Sequence, residues 1–149
     1  MNIEKIIKTQ ALPAARKTTI NLLYTSSWAS DLLTEALKPF DLSLQQFNVL
    51  RILRGQQGKP ANLSTIQERM VSKMSNTTRL VDKLNTKQLT ERIVCPTNRR
   101  KVEITITSKG LQLLKQVDLE VEKAEQKVVQ RLNQQQIEQL NALLNKMRI

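Results

Sequence analysis

Three consecutive basic residues, Arg99, Arg100 and Lys101, stand where a turn is expected between two strand-like segments. Like charges at the tip of a hairpin repel each other, and the phosphate backbone or narrow minor groove of a nucleic acid would relieve that repulsion. A charged edge that discourages strand aggregation is the structural alternative. The cluster indicates a phosphate-binding hairpin, with edge protection as the other interpretation.

A second set of polar side chains, Asn76, Arg79 and Lys83, is spaced three and four residues apart in a segment with helical periodicity. Residues at this spacing share one face of a helix. In a major groove about 12 Å wide, an asparagine amide can pair with adenine and an arginine with guanine. A solvated surface helix has the same pattern, so this face alone leaves both interpretations open.

Two short helices joined by a tight turn are expected to position this face. Ser64 and Gln67 have the spacing of a capping box and predict the start of the first helix. The second helix is expected from about Ser75 to Lys87. Its inward face is apolar and comprises Thr77, Leu80, Val81 and Leu84.

A β-hairpin is expected directly after these helices. Residues 101–106 alternate between polar and apolar types, and residues 93–95 supply a partner strand that Pro96 closes. Residues 97–100 would then form the tip. Between residues 62 and 110 there are ten Lys and Arg against four Asp and Glu, which is six of the net eleven positive charges.

This order of elements predicts a winged helix-turn-helix, in which one helix enters the major groove and a basic hairpin lies beside it. The second of the two short helices would read bases, the turn before it would contact phosphate, and the hairpin would reach the backbone or minor groove. The expected DNA contacts are Lys73, Ser75, Asn76, Arg79, Lys83, Arg99, Arg100 and Lys101.

Amphipathic helices are expected on both sides of this core. Pro13 suits the first turn of a long helix that ends at Pro39, and Ser43 with Gln46 forms a capping box for a helix ending near Gly55. Thr107 is the expected N-cap of a later helix, and a last helix follows Asn133. The later helix carries a narrow apolar stripe, indicating either a seam between subunits or a core-facing surface: Leu114, Val117, Val121, Ala124 and Val128.

Composition excludes several classes of function. The chain of 149 residues has no histidine, one cysteine (Cys95) and three glycines, which leaves no ordinary zinc site, no His-based triad and no P-loop. We therefore expect no enzyme, metal or cofactor.

No apolar run is long enough to span a membrane, and a cytoplasmic location is expected. A pI near 10.2 favours a polyanionic partner, although charge alone does not distinguish nucleic acid from acidic lipid.

Three ordered motifs give the chain a resemblance to the MarR family of bacterial winged-helix transcription regulators. Residues 42–50 are similar to the family's second-helix segment, and residues 78–84 to its recognition helix. Residues 98–110 are similar to its wing, in which an Asp-x-Arg signature is followed by alternating apolar residues and Thr-x-x-Gly. Two positions depart from the pattern: Asn98 replaces the wing Asp, and Gln88 replaces the turn Gly.

The resemblance implies a homodimer in which terminal helices of two subunits interleave, so that paired recognition helices meet a palindromic operator in double-stranded DNA. It also implies a repressor released by a small aromatic effector near Tyr24 and Trp28, although these residues taken alone suit a core. Cys95 could be a redox sensor, but a buried strand position is the simpler interpretation. Neutral Asn98 would orient Arg100 by a hydrogen bond, and Gln88 predicts an altered helix end.

The sequence thus predicts a mainly α protein with a small β-hairpin. Residues 1–40 would form an N-terminal dimerisation helix, residues 41–110 the DNA-binding core, and residues 111–149 the C-terminal dimerisation helices, all in one continuous folded unit. The rival hypothesis is a non-regulatory interaction adaptor whose basic surface only steers acidic partners.

Overall fold

Helices dominate the architecture, and the computed structural model describes residues 2–148. Within that range the helices are α1 (Ile3–Ile6), α2 (Ala14–Leu37), α3 (Leu44–Gly55), α4 (Leu63–Arg69), α5 (Thr77–Thr86), α6 (Ser108–Val129) and α7 (Gln134–Lys146). The strands are β1 (Ala61–Asn62), β2 (Thr90–Cys95) and β3 (Asn98–Ile106). The predicted class, mainly α with a small β-hairpin, is confirmed.

The three strands form one antiparallel sheet in the order β1, β3, β2. Ala61 pairs with Ile104, so the short β1, which the sequence did not indicate, joins the hairpin to the helix pair. At the other edge Thr90 pairs with Ile106. Ile104 is buried, as expected for the apolar members of an alternating strand.

Capping residues set the starts of the helices, and one sequence prediction about them is wrong. Ser43 and Gln46 form the expected capping box, with both backbone-to-side-chain distances 3.1 Å. The N-cap of α4 is Asn62, whose Oδ1 accepts from the backbone N–H of Thr65 at 2.8 Å. Ser64 instead donates its hydroxyl to Asn62 Oδ1. A better-placed cap two residues earlier displaced the predicted one.

Residues 34–122 form one compact unit with a dense apolar centre. The largest fully buried side chains come from the helices of the unit, the residue directly after α4, and β3, namely Leu37, Phe47, Leu50, Leu53, Ile66, Met70, Leu84, Ile104 and Leu114. Arg54 and Asp118 tie α3 to α6 through a bidentate ion pair with N–O distances of 2.5 and 3.3 Å. This unit contains all the elements of the winged helix.

Residues 1–33 and 123–149 form a second compact unit, built from α1, most of α2, the end of α6 and α7. Its buried apolar residues among those described are Ile3 and Ala124. Lys17 pairs with Glu4 at 2.8 Å and lowers the pKa of that carboxyl. No helix among residues 2–148 combines the length and apolar character needed to cross a membrane.

Four of the five residues in the apolar stripe of α6 are buried within one chain, and the fifth, Val128, is half-buried. Leu114, Val117, Val121 and Ala124 are all inaccessible to solvent or nearly so. These four residues therefore fit the core-facing alternative and not a seam between subunits. The division of the chain at residues 40 and 110 remains a prediction.

Candidate nucleic-acid interface

Helix α5 is the element that carries the predicted recognition face, and it is shorter than expected. It begins at Thr77, with Asn76 as its N-cap. Asn76 Oδ1 accepts the backbone N–H of Arg79 at 3.1 Å, which satisfies one of the free donors of the first turn. The predicted pairing of this amide with adenine needs both its oxygen and its nitrogen. While the cap is in place, the oxygen keeps one lone pair and the nitrogen both N–H donors, so the pairing with adenine stays a prediction.

Arg79 and Lys83 occupy the outer face of α5, opposite the buried Thr77, Val81 and Leu84. Both side chains are exposed, and no hydrogen bond or ion pair within residues 2–148 engages either charged group. The predicted division of this helix into apolar and basic faces is thereby confirmed. The structure presents two free cations, one helical turn apart, on the surface of α5.

The turn that leads into α5 is held by Gln67, which the sequence had assigned to a capping box. Gln67 Nε2 donates to the backbone carbonyl of Lys73 at 2.8 Å, and Gln67 Oε1 accepts from the Thr77 hydroxyl. One side chain of α4 therefore fixes both the turn and the first residue of α5. The spacing between Ser64 and Gln67 could not predict this role of Gln67, because its partners Lys73 and Thr77 lie six and ten residues further along the chain.

Lys73 and Ser75, both predicted DNA contacts in this turn, differ in their availability. The Lys73 ammonium donates to the backbone carbonyl of Glu68, which leaves two of its three N–H donors for other partners. The Ser75 hydroxyl is buried and has no hydrogen-bond partner within the described chain. Ser75 is therefore half-buried, and its hydroxyl would have to turn outward to contact a base edge.

The C-terminal end of α5 keeps the geometry of a glycine turn without the glycine. Gln88 has a left-handed backbone with φ of 60°. The N–H groups of Gln88 and Leu89 donate to the carbonyls of Asn85 and Leu84 at 2.9 and 3.0 Å, which is a Schellman motif. The expectation that this helix ends differently is wrong, because the turn accepts the strain of a Cβ in the left-handed region.

Thr107 links this helix end to α6 and the sheet. Its hydroxyl donates to the Gln88 carbonyl at 2.7 Å and accepts from the backbone N–H of Gly110 at 3.1 Å, which confirms Thr107 as the N-cap of α6. A Cβ on Gly110 would lie 2.4 Å from the Leu89 carbonyl oxygen, so only glycine fits here. The turn after α5, the strand β3 and α6 are therefore locked together at one point.

The wing is a hairpin whose basic residues lie beside the turn and not in it. Pairing runs regularly from Thr90 with Ile106 to Val94 with Val102, and then shifts so that Cys95 pairs with Asn98. The shift leaves residues 99–101 as extra residues on β3, and the tip itself is Pro96 and Thr97. The prediction that residues 97–100 form the tip is wrong, because an irregular pairing carries the basic residues.

The side chains in this irregular segment are exposed, and two of the three cations are free. No ion pair within residues 2–148 engages Arg99 or Arg100, while Lys101 lies 3.8 Å from Glu103. Asn98 Oδ1 accepts from the backbone N–H of Arg100 at 3.1 Å. The predicted hydrogen bond from Asn98 exists, but it fixes the backbone of Arg100 and not its guanidinium.

Cys95 lies at the base of the wing turn and is half-buried, which corrects the expectation of a buried strand residue. A hydrogen bond with the Thr97 hydroxyl, at 3.2 Å, is the main cause that lowers the pKa of this thiol, followed by backbone N–H groups and then Lys101. The basic wing is therefore the smaller influence. Within residues 2–148, no cluster of Cys, Asp and Glu side chains could hold a metal ion.

Tyr24 and Trp28, the predicted effector-binding pair, lie one turn apart on α2. Tyr24 is 47% and Trp28 41% exposed in the isolated chain. Neither residue is in a core, so the structural alternative for this pair is wrong for the single chain. Their aromatic faces are available to a ligand or to another subunit.

Comparisons with known proteins agree with this geometry. A sequence model of the MarR family matches residues 42–102, which covers α3 to the middle of β3. No curated protein sequence matches the chain. Similar solved structures are numerous and span nearly the whole length of the chain.

Three of these structures illustrate the likeness. A MarR transcription factor from Planctomyces limnophilus is 28% identical with a TM-score of 0.71, over 91% of this chain and 98% of that one. A mutant MarR from E. coli complexed with operator DNA is 23% identical with a TM-score of 0.77, over 99% of both chains. BpsR of Bordetella bronchiseptica is 22% identical with a TM-score of 0.80, over 89% of this chain and 99% of that one.

The sequence match and the structural matches converge on the same elements, the helix pair, the braced α5 and the basic wing. Residues 42–102 are a MarR-family domain, in a chain that has the winged-helix fold of the MarR transcription regulators.

Proposed function

We propose that the protein is a bacterial transcription regulator that binds a palindromic operator in double-stranded DNA as a homodimer and represses the promoter it occupies. The main support for this proposal is a set of exposed, unpaired cations on α5 and the wing, namely Arg79, Lys83, Arg99 and Arg100. A regulator of this kind acts in the cytoplasm, where the bacterial chromosome is.

In this proposal α5 enters the major groove and the wing lies along the neighbouring backbone or minor groove. Arg79 is positioned to read a guanine edge, which accepts two hydrogen bonds from one guanidinium. Lys83 and Lys73 neutralise phosphates, and Arg99, Arg100 and Lys101 do so from the wing. Ser75 contributes less because its hydroxyl is buried, whereas Asn76 keeps its amide nitrogen and one lone pair of its oxygen for a base edge.

The homodimer is supported by apolar side chains of α2 and α7 that one chain leaves in water. Leu23 is 68% and Leu143 59% exposed, and Tyr24, Trp28, Leu140 and Met147 are exposed as well. Exposed apolar residues in such numbers on terminal helices are typical of an interface. A two-fold axis through that interface gives two copies of α5 and hence a palindromic site.

The test begins with selection of fragments from the source genome by the purified protein. We expect enrichment of one palindromic sequence. If the dimer neutralises about eight phosphates, a plot of log K against log salt for that sequence should have a slope near roughly −7. A slope close to zero would contradict the proposed electrostatic mechanism.

A charge-matched pair of variants separates specific contacts from the general attraction of a basic protein. The double variant Arg99→Ala, Arg100→Ala should weaken operator binding and make the salt slope shallower by about two for each wing. The control, Lys115→Ala, Lys127→Ala, removes the same charge from exposed positions of α6. If both variants bind equally well and no sequence is preferred, the adaptor hypothesis is favoured.

Repression and its release are tested with a reporter that carries the selected operator. Deleting the protein should raise transcription, and a fall would indicate an activator. Regulation of DNA binding by 6-hydroxynicotinic acid is described for BpsR. We propose that an aromatic acid of this class binds at Tyr24 and Trp28. With 6-hydroxynicotinic acid as probe, operator release that persists in the variant Tyr24→Ala, Trp28→Ala would contradict this site.

A further inference from the structure

One exposed apolar side chain lies beside the basic residues of α5 and has no role in the proposed contacts with phosphates and bases. Met74, in the turn between α4 and α5, is 95% exposed. A single exposed apolar residue says little by itself, because much of any protein surface is apolar. Its neighbours decide whether it has a role.

Met74 lines the same groove as the free cations of α5. The groove has a volume of about 250 Å³, and its walls are Gln45, Ser72, Met74, Ser75, Asn76, Arg79, Leu80 and Lys83. Arg79 and Lys83 give this groove a positive charge that attracts a polyanion, and Met74 adds an exposed apolar side chain to its wall. Val71, in the same turn and 85% exposed, is not among the lining residues.

The backbone that presents Met74 is fixed at both ends. Gln67 holds the carbonyl of Lys73, directly before Met74, and also the hydroxyl of Thr77, three residues after it. A side chain on a braced turn loses less backbone entropy when a ligand buries it. The turn is thus prepared for contact and does not need to be ordered by it.

We propose that Met74 contacts the C5-methyl group of a thymine in the major groove, and so sets a thymine preference in each half-site. The inference rests on the proposed function. Thymine is distinguished in the major groove by its methyl group, which apolar side chains contact. Methionine suits the task, because its unbranched, polarisable side chain adapts to an irregular surface.

The test uses the operator duplex recovered by genomic selection and a matched duplex in which deoxyuridine replaces every thymidine. Deoxyuridine lacks only the methyl group. Wild-type protein should bind the deoxyuridine duplex about fourfold more weakly per half-site, the size expected for one buried methyl group. Met74→Ala should bind the two duplexes alike, while Met74→Leu should keep the preference.

Val71→Ala is the matched control, since it removes an equally exposed apolar side chain that lies outside the groove. It should retain the wild-type response to the methyl group. Measuring both duplexes with each protein cancels any effect of deoxyuridine on the shape of the DNA. Unchanged thermal unfolding of the variants would confirm that exposed positions were altered without loss of fold.

Equal binding of both duplexes by the wild type overturns the inference, as does a methyl preference that survives in Met74→Ala. An operator without thymine in its half-sites overturns it as well. These outcomes leave the proposed function intact, because a specific operator has been bound. Failure to enrich or bind any duplex instead overturns the proposed function itself.

Discussion

The two compact units of the chain differ in how they use their apolar residues. Among the described residues, the unit of residues 34–122 buries leucines, isoleucines or valines from α2, α3, α4, α5, β3 and α6. The unit of residues 1–33 and 123–149 buries Ile3 and Ala124 but leaves large side chains of α2 and α7 in water. The first unit completes its own core, whereas the exposed apolar surface of the second is what the proposed homodimer would cover.

One kind of pattern, an amphipathic helix, therefore serves two energetic purposes in this molecule. In residues 34–122, burial on folding stabilises the unit that carries α5 and the wing. In the terminal helices the same driving force remains unused until something covers the exposed face. Substitutions in the two units should therefore alter different equilibria, folding in one and association in the other.

The largest expected effect comes from a matched pair of leucine substitutions. Leu50→Ala removes a fully buried side chain and should lower the free energy of unfolding by about 3 kcal/mol, because it leaves a cavity in the core. Leu143→Ala removes a side chain that is 59% exposed and should raise the dissociation constant of the proposed homodimer by about tenfold. Urea unfolding and sedimentation equilibrium measure the two quantities separately.

The two units would not differ in this way if the two variants exchanged their effects on unfolding and on association. A Leu143→Ala chain that loses as much unfolding free energy as Leu50→Ala, at every protein concentration, would mean that α7 belongs to a self-sufficient core. A change in stability that depends on protein concentration is instead what a dimer interface predicts.

A second pair of variants tests how tightly the winged-helix unit is packed. Gly110→Ala places a Cβ 2.4 Å from the Leu89 carbonyl and 2.8 Å from Ile106 Cγ1. The backbone must shift, and we expect a loss of about 2 kcal/mol of unfolding free energy. Gly55→Ala, with no heavy atom within 4 Å, should stabilise α3 by roughly 0.5 kcal/mol. Thermal unfolding of both variants gives the comparison.

Equal effects of the two alanines would indicate that the contact between Gly110 and Leu89 is loose. In that case the link from the end of α5 to α6 would not hold α5 in place. The Thr107 hydrogen bonds alone would then have to position the turn.

Local rules account for what the sequence predicted well. The helix start at Ser43, the N-cap at Thr107 and the two faces of α5 each follow from residues within a few positions of one another. The wing follows from its alternating pattern and the family motif. These elements make up the greater part of the fold and place the free cations of the candidate site.

The wrong predictions for the α4 cap, for Gln67 and for the hairpin tip have a different cause. In each case the structure depends on partners distant in sequence or on competition between neighbouring residues. Asn62 displaced Ser64 as cap, and Gln67 took partners six and ten residues away. The shift after Val94 depends on cross-strand pairing, which no single strand encodes. The stripe of α6 has a period that fits a core and a seam equally, so only the folded chain decides between them.

The smallest expected difference between paired variants concerns strain that the winged-helix unit tolerates. Gln88 stands in the left-handed region with φ of 60°, in a turn whose hydrogen bonds are all formed. Gln88→Gly removes the clash of its Cβ with the backbone and should raise the free energy of unfolding by about 1 kcal/mol. Gln88→Ala keeps the Cβ and should be close to neutral, which separates backbone strain from any contact of the side chain.

Because the Leu89 and Thr107 hydrogen bonds already hold the turn, operator affinity should be unchanged in both variants. A glycine variant no more stable than the alanine variant would mean that the unit has relaxed around Gln88, and that its core is less rigid than the burial of Leu84 and Leu89 implies.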